Sequence, residues 1–380
     1  MAIYYFYFCS LFIMGLINIS TKGGLRPLLF LASLIILTVI GFRYEIGVDW
    51  LLYRDLFNGK TITLALEPGY QFISLLVSLT GISFWLFVTG ITFFSLVVMS
   101  VFFKRLSVYP VFCLAMYFAL TPIFNVDMIR QVLAVSFFYI GFMYLIKNKK
   151  THYYVYVLIA ATFHISAALL LILPFIIKDK NTKALKILLL PGIILAVAGV
   201  YPIEIIIQII SALVHNSYTE KLISYTTPAN ISPVITFSFI FKIILISFFF
   251  LRKEKIKSEI KDNSHLHVIE NFIIFMVFLD IYIGRFGTIS SRLDEYFLPA
   301  FVCMAAWVIY SFDRLLNRIS FSLFIIFYLL VSFYRLSQDE YFKDQFIPYQ
   351  NYLMISMDTS HLYDKSREQS VDYHWKTRDK

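Results

Sequence analysis

The sequence predicts an all-α polytopic membrane protein. Three observations carry that prediction. Of 380 residues, 59% are hydrophobic and only 15% charged. Mean hydropathy is +0.75. Apolar runs long enough to cross a bilayer recur from one end of the chain to the other. A soluble domain of this size is about a quarter charged. No soluble domain is separable, so the chain divides into a transmembrane domain, 1–336, and a polar C-terminal tail, 337–380.

A helix needs roughly 20 apolar residues to cross the hydrocarbon core. About ten runs meet that demand: 2–20, 26–42, 83–103, 108–124, 128–146, 184–200, 232–251, 268–284, 293–311 and 319–335. No positive n-region precedes the first run, which therefore reads as a span and not as a cleaved signal. Residues 68–81 are apolar but short, and predict a partial or interfacial helix. Within 201–225, Glu204, Gln208, Ser211 and His215 form one polar stripe at helical spacing. That pattern predicts a helix lying in the interface.

Positive charge decides the topology of the 26-residue run 152–177. Six basic patches hold 18 Lys or Arg: Lys22/Arg26, Lys104/Arg105, Lys147/Lys149/Lys150, Lys178–Lys186, Arg252–Lys261 and Arg314/Arg318. The intervening short loops hold seven: Arg43, Arg54, Lys60, Arg130, Lys221, Arg285 and Arg292. A single crossing at 152–177 would split the patches between both faces. A short re-entrant hairpin puts all six inside, as the positive-inside rule requires. Each arm would be only about 18 Å long. The turn would fall near Phe163-His164-Ile165, with His164 facing a cavity near the outer side. The N-terminus and the tail then lie outside. Tail residues 357–380, with five basic and five acidic groups, read as solvated and poorly ordered.

The formal net charge of +9 follows from those inner loops, so nucleic acid is not an expected partner. Cys9, Cys113 and Cys303 each lie inside an apolar run without a CxxC pair. They read as small buried hydrophobes, and neither a disulfide framework nor a metal site is expected. P-loop, GxGxxG, HExxH, GxSxG and DxD patterns are absent.

The polar residues left on the predicted outer side are the candidates for chemistry. In the loop after the second span, Arg43 sits where the span ends. Asp49 and Tyr53 are four apart and share a face if a helix begins near Asp49. Asp49 fits equally well as a helix cap, with Trp50 and Tyr53 as belt anchors. Glu67-Pro68-Gly69-Tyr70 heads the short apolar segment, where Glu67 either caps a helix or stands at a cavity rim as a base. Arg130 and Gln131 lie about one turn inside an apolar helix, and an ionisable group there is a functional hypothesis by default. Pairing with Asp127, three residues earlier, is the structural alternative. Arg285 precedes a further outer cluster, Ser290-Ser-Arg-Leu-Asp-Glu-Tyr296, which contains Arg292. A guanidinium binds phosphate oxygens in a bidentate fork. Anion recognition therefore explains Arg43, Arg130, Arg285 and Arg292 on a face where basic residues are scarce, and interfacial snorkelling is the rival reading. Lys242 and Asp280 fall within spans and should face the bundle interior.

Taken in order, Arg43…Gly47-Val-Asp49…Tyr53, Glu67-Pro-Gly-Tyr70, Arg130-Gln131, Phe163-His164-Ile-Ser166 and Pro348-Tyr349-Gln-Asn-Tyr352 resemble the EpsG-like family. That family belongs with the Wzy-type O-antigen and capsule polymerases. The resemblance runs from about residue 40 to 352, and 200–260 contributes no motif to it. It implies a GT-C-like glycosyltransferase of the bacterial cytoplasmic membrane. Such an enzyme moves a growing glycan from undecaprenyl diphosphate onto a lipid-linked repeat unit at the outer face, with a chain-length regulator as a further partner. No cofactor or metal is implied, because the lipid diphosphate is itself the leaving group. On that reading Arg43, Arg130, Arg285 and Arg292 bind the diphosphate, assisted by Gln131. Asp49, Glu67 or His164 takes the acceptor proton, and Tyr53 and Tyr349 contact sugar. A flippase or transporter of lipid-linked oligosaccharide and a membrane O-acyltransferase are the competing functions. The halves show no convincing internal repeat of the transporter kind.

Overall fold

The computed structural model describes residues 1–24, 26–60, 66–205, 209, 233–260, 263–357 and 366–378. The principal helices are α1 (Ala2–Ser20), α2 (Arg26–Ile36), α3 (Trp50–Phe57), α4 (Pro68–Ser78), α5 (Phe84–Leu106), α6 (Pro110–Leu120), α7 (Ile129–Ile146) and α8 (Lys150–Phe163). They continue as α9 (Asp179–Val197), α10 (Phe237–Leu251), α11 (Asn263–Ile283), α12 (Gly287–Tyr310), α13 (Leu315–Gln338), α14 (Glu340–Phe346) and α15 (Ser366–Arg378). Among the described residues no strand forms, and one isolated antiparallel bridge joins Arg43 to Asn351.

The protein is a multi-pass helical membrane protein. Among the described residues six helices are long and apolar enough to cross a bilayer: α1, α5, α7, residues His265–Ile283 of α11, α12 and α13. Other expected spans are shorter apolar helices, Pro27–Gly41, Pro110–Leu120 and Phe237–Leu251. The reasons are local. Pro110 starts α6, and Pro122 follows its end at Leu120; a proline in the interior would remove a helix hydrogen bond. At 11 residues α6 is about 16 Å long, and every residue from Val111 to Phe118 is buried. The expected span 184–200 falls in α9, which carries Pro191.

The helices group into two compact units. The first comprises residues 1–144, 151–168 and 312–380, and the second 145–150 and 169–311. In the first, α1 buries Tyr4, Tyr7, Phe8, Leu11, Phe12, Gly15 and Ile19, a stripe at helical spacing. Gly15 lets α1 approach α6, because a Cβ there would stand 3.1 Å from the Phe112 ring. Asn18 then caps α6 by accepting the Val111 N–H at 3.2 Å.

Two other expectations meet the structure differently. Near Phe163-His164-Ile165, where the sequence predicts the turn of a hairpin, α8 ends at Phe163 and the chain resumes as a 3₁₀ helix, Ile165–Ile172. The short helix expected at 68–81 is α4. Of the 201–225 stripe, Gln208, Ser211 and His215 lie outside the described residues.

The solvated tail is the clear correction. Residues 366–378 form α15, part of the first unit, in which Val371 is buried to 1% exposure. Arg367, Val371 and Trp375 recur at i, i+4 and i+8. A balanced charge count conceals that single inward face, so composition points to solvent where periodicity points to a docked helix.

In the second unit α9, α10, α11 and α12 pack together. Tyr282 donates to the Leu188 carbonyl at 2.9 Å. Gly192 meets Ile281 and Tyr282, where a Cβ would come within 2.8 Å of the Ile281 side chain. Lys242 and Asp280 are buried as expected. Lys242 Nζ stands 3.0 Å from the buried Asp280 and 2.7 Å from the partly exposed Asp294, an ion-pair triad linking α10, α11 and α12.

Candidate functional site

The sharpest concentration of polar groups in the first unit surrounds the start of α7. Arg130 leaves the first turn of that helix. Its Nη1 is paired with Glu67 Oε2, and its Nε donates to the Tyr53 hydroxyl at 3.0 Å. The guanidinium carbon stands 5.5 Å from the Tyr53 ring centroid. Tyr53 in turn donates to Asp49 Oδ2 at 3.4 Å. One guanidinium thus has a carboxylate in contact and a second carboxylate one phenol away. The Glu67 and Arg130 side chains are 18% and 20% exposed, so solvent still reaches the pair.

Local sequence explains each position. Pro68 occupies the first turn of α4 and fixes the chain direction there. Glu67 precedes it in extended conformation, and its carboxylate makes no capping bond; it turns to Arg130 instead. Asp49 likewise stands at the N-cap position of α3 without capping it. The i, i+4 relation of Asp49 and Tyr53 holds as the spacing predicts.

Asp127 does not pair with Arg130 in the way their spacing allows. Met128, with φ −93° and ψ 55°, breaks the helix between them. The i, i+3 relation presumes a continuous helix, so the two side chains diverge. Asp127 Oδ1 accepts the N–H groups of Val48 and Asp49 at 2.9 and 2.8 Å, and Oδ2 accepts the Tyr341 hydroxyl at 2.9 Å. Burial pushes this carboxyl above the usual range, against hydrogen bonds that favour its charged form. Gly47 makes the approach feasible. Its φ is +92°, and a Cβ there would lie 2.5 Å from Asp127 Oδ1.

The segments singled out in the sequence fold onto one another here. Phe42 accepts the Tyr352 N–H at 2.7 Å, Tyr44 N–H reaches the Gln350 carbonyl at 3.1 Å, and Gly47 N–H reaches Gln345 at 3.1 Å. The Arg43–Gly47 loop is therefore zipped to the stretch containing Pro348-Tyr349-Gln-Asn-Tyr352. Gly69 packs against Thr162, where a Cβ would meet Oγ1 at 2.4 Å. That contact brings the Glu67-Pro-Gly-Tyr turn against the end of α8, next to His164. His164 is 8% exposed, and its Nδ1 is 2.6 Å from Ser166 Oγ.

Other candidates are placed differently. Arg43 is 3% exposed and turned inward, with Nη1 donating to the Ile40 carbonyl at 2.7 Å and to Thr92 at 3.3 Å. Burial lowers its pKa to about 10, which leaves it charged near neutrality. Its visible contacts hold the end of the α2 segment to α5. The Tyr349 hydroxyl donates to the Val39 carbonyl at 2.9 Å and accepts from Asn351 at 2.8 Å. Gln131 is buried at 1% exposure. Arg285 and Arg292 belong to the second unit. There Arg285 pairs with Glu204 at 2.7 Å and lies 4.3 Å from the Tyr201 ring centroid, while Arg292 is half-buried in the opening turns of α12.

Tyr341 and Gln345, which fix the loop from the far end of the chain, carry no recognisable sequence signal. Asp294 was visible only as part of a polar cluster; its partner Lys242 is 52 residues away. Among the described residues no group of His, Cys, Asp or Glu could hold a metal ion.

No curated protein and no solved structure matches the chain. A family model, that of the EpsG family, matches residues 26–351.

Proposed function

The chain belongs to the EpsG family, the family of Wzy-like polymerases, and from that premise we propose that it polymerises a lipid-linked polysaccharide. The growing glycan, carried on undecaprenyl diphosphate, would be transferred onto a lipid-linked repeat unit at the outer face of the cytoplasmic membrane. The product is an O-antigen or capsule, and a chain-length regulator is the further partner. About ten crossings, a GT-C-like arrangement and the re-entrant segment at 152–177 go with this reading, because that topology keeps all six basic patches inside.

One observation carries the proposal: a partly exposed guanidinium, Arg130, held directly by Glu67 and through Tyr53 by Asp49. The chemistry follows from that pairing. A diphosphate brings more negative charge to Arg130 than one carboxylate does, and a bidentate fork suits it. Donor binding would take over the guanidinium and release Glu67 as a base for the acceptor hydroxyl. Arg130 would then stabilise charge developing on the diphosphate as the glycosidic bond to the lipid breaks. Asp49 and His164 are the other candidate bases. Asp49 is tied to Tyr53, and His164 lies two residues after Thr162, which meets Gly69 of the Glu67 turn. Arg43 and Gln131 are assigned supporting anion contacts, and Tyr53 and Tyr349 sugar contacts; Arg285 and Arg292 are assigned anion contacts within their own unit.

Deletion of the gene in its host, with the surface glycan resolved on a gel, tests the function. A polymerase predicts single repeat units in place of a ladder, restored by the wild-type chain. An unchanged ladder excludes polymerase activity. Loss of single units as well would favour a flippase.

A further inference from the structure

In the second unit a cleft of about 170 Å³ opens where α9 begins, beside the turn that follows α10 and the first turns of α11. Lys183, Lys186, Lys253 and Glu270 line it, with His267 and Asn271. Glu270 is 5% exposed and bridges two ammonium groups, Lys186 Nζ at 3.4 Å and Lys253 Nζ at 2.6 Å. Three lysines against one carboxylate leave a surplus of two positive charges in the cleft.

The frame around those charges is fixed. Asn271 Nδ2 donates to the Ile177 carbonyl at 2.8 Å, and Thr182 Oγ1 donates to the Ile176 carbonyl at 3.1 Å. The Lys186 and Lys253 ammonium groups stand 5.6 and 6.0 Å from the Phe250 ring centroid. Next to the lysines in the chain stand large apolar side chains in the open: Ile187 is 73% exposed and Leu251 81%. A charged cleft whose lysines neighbour uncovered apolar side chains in the chain matches a molecule with an anionic head and hydrocarbon tails. Basic pockets between membrane helices on the inner side take such headgroups.

We propose that this cleft binds the phosphate of an anionic phospholipid, whose acyl chains lie along the exposed faces of α9 and α10. Glu270 holds the ammonium groups of Lys186 and Lys253 at the cleft and also limits its affinity, because it competes with the phosphate for them. In the proposed orientation these lysines lie on the cytoplasmic side, where anionic lipids concentrate.

The test uses the purified full-length chain in neutral detergent and measures binding and thermal midpoint. The probes are dioleoyl phosphatidylglycerol, dioleoyl phosphatidylcholine and inorganic phosphate. Phosphatidylglycerol should bind and raise the midpoint, less so at high salt, and phosphatidylcholine should do neither. Lys183→Gln should weaken phosphatidylglycerol about fivefold, the worth of one basic residue near a membrane surface. Glu270→Gln should strengthen it. General damage to the fold would weaken both variants, so the opposed directions are the informative result. Equal binding of the two lipids, equal stabilisation by inorganic phosphate, or weakened binding in both variants would overturn the proposal.

Discussion

Arg130 and Asp127 lie three residues apart and do unlike work. Arg130 stands half-buried with two oxygen partners supplied by other segments. Asp127 is buried and holds backbone. Substitutions should separate them. Arg130→Ala is expected to give single repeat units on a gel with normal protein level, and Arg130→Lys should recover little, because an ammonium lacks the planar fork. Glu67→Gln keeps the Arg130 charge but removes the base, so turnover of purified enzyme should fall by about 10²–10⁴, with donor affinity retained or improved. Normal turnover in that variant would exclude Glu67. Asp127→Ala, in contrast, leaves the Val48 and Asp49 N–H groups buried without their acceptor, at about 1–3 kcal/mol each. Gly47→Ala forces a Cβ into the carboxylate at a strained φ. Both should lower the thermal midpoint in detergent, and a midpoint equal to wild type in either would contradict the loop geometry.

Elements from distant parts of the chain decide whether that loop has a shape at all. Residues 42–47 have no helix of their own and borrow hydrogen bonds from 345–352. Helix α15 closes over them. Arg367 donates to the carbonyls of Glu45 and Pro348, Glu368 pairs with Arg54 at 2.7 Å, and Ser370 meets Gln345 at 3.1 Å. Truncation after Met357 should therefore speed hydrogen exchange of the amides of residues 45–49 while α5 keeps its protection. Unchanged exchange in the loop would show that α15 does not brace it. The Lys242–Asp280–Asp294 triad ties three helices of the second unit in another way. Lys242→Met strands the buried Asp280 carboxylate beside the partly exposed Asp294, and breaking a buried pair costs about 3–5 kcal/mol. Replacing Asp280 by Asn as well should recover part of the loss. A double variant no more stable than Lys242→Met would argue against the pairing as the cause.

At the scale of the whole molecule, the proposal turns on which face each loop meets. Single cysteines in a background lacking Cys9, Cys113 and Cys303 would report it. Positions Asn58 and Gln369 should react with an impermeant thiol reagent on intact spheroplasts. Lys149 and Lys255 should react only after permeabilisation. The reverse pattern would put the Arg130 cluster on the cytoplasmic side and remove the polymerase reading.

Composition and run length alone established a multi-pass helical membrane protein, because the cost of leaving backbone and charge in hydrocarbon acts on each segment independently of its neighbours. The ordered motifs, read as a resemblance, pointed to the right family. Short-range spacing also disclosed the Asp49–Tyr53 face. Tertiary structure alone decided the partners. The Arg130–Glu67 pair spans 63 positions, and Asp127 meets Tyr341 across 214. Such contacts depend on where helices pack in three dimensions, and no periodicity of 3.6 residues encodes that. The same holds for Arg43: the sequence marks it as an arginine at a span end, and only the packing of the π-helical turn Leu37–Gly41 against α5 turns its guanidinium inward.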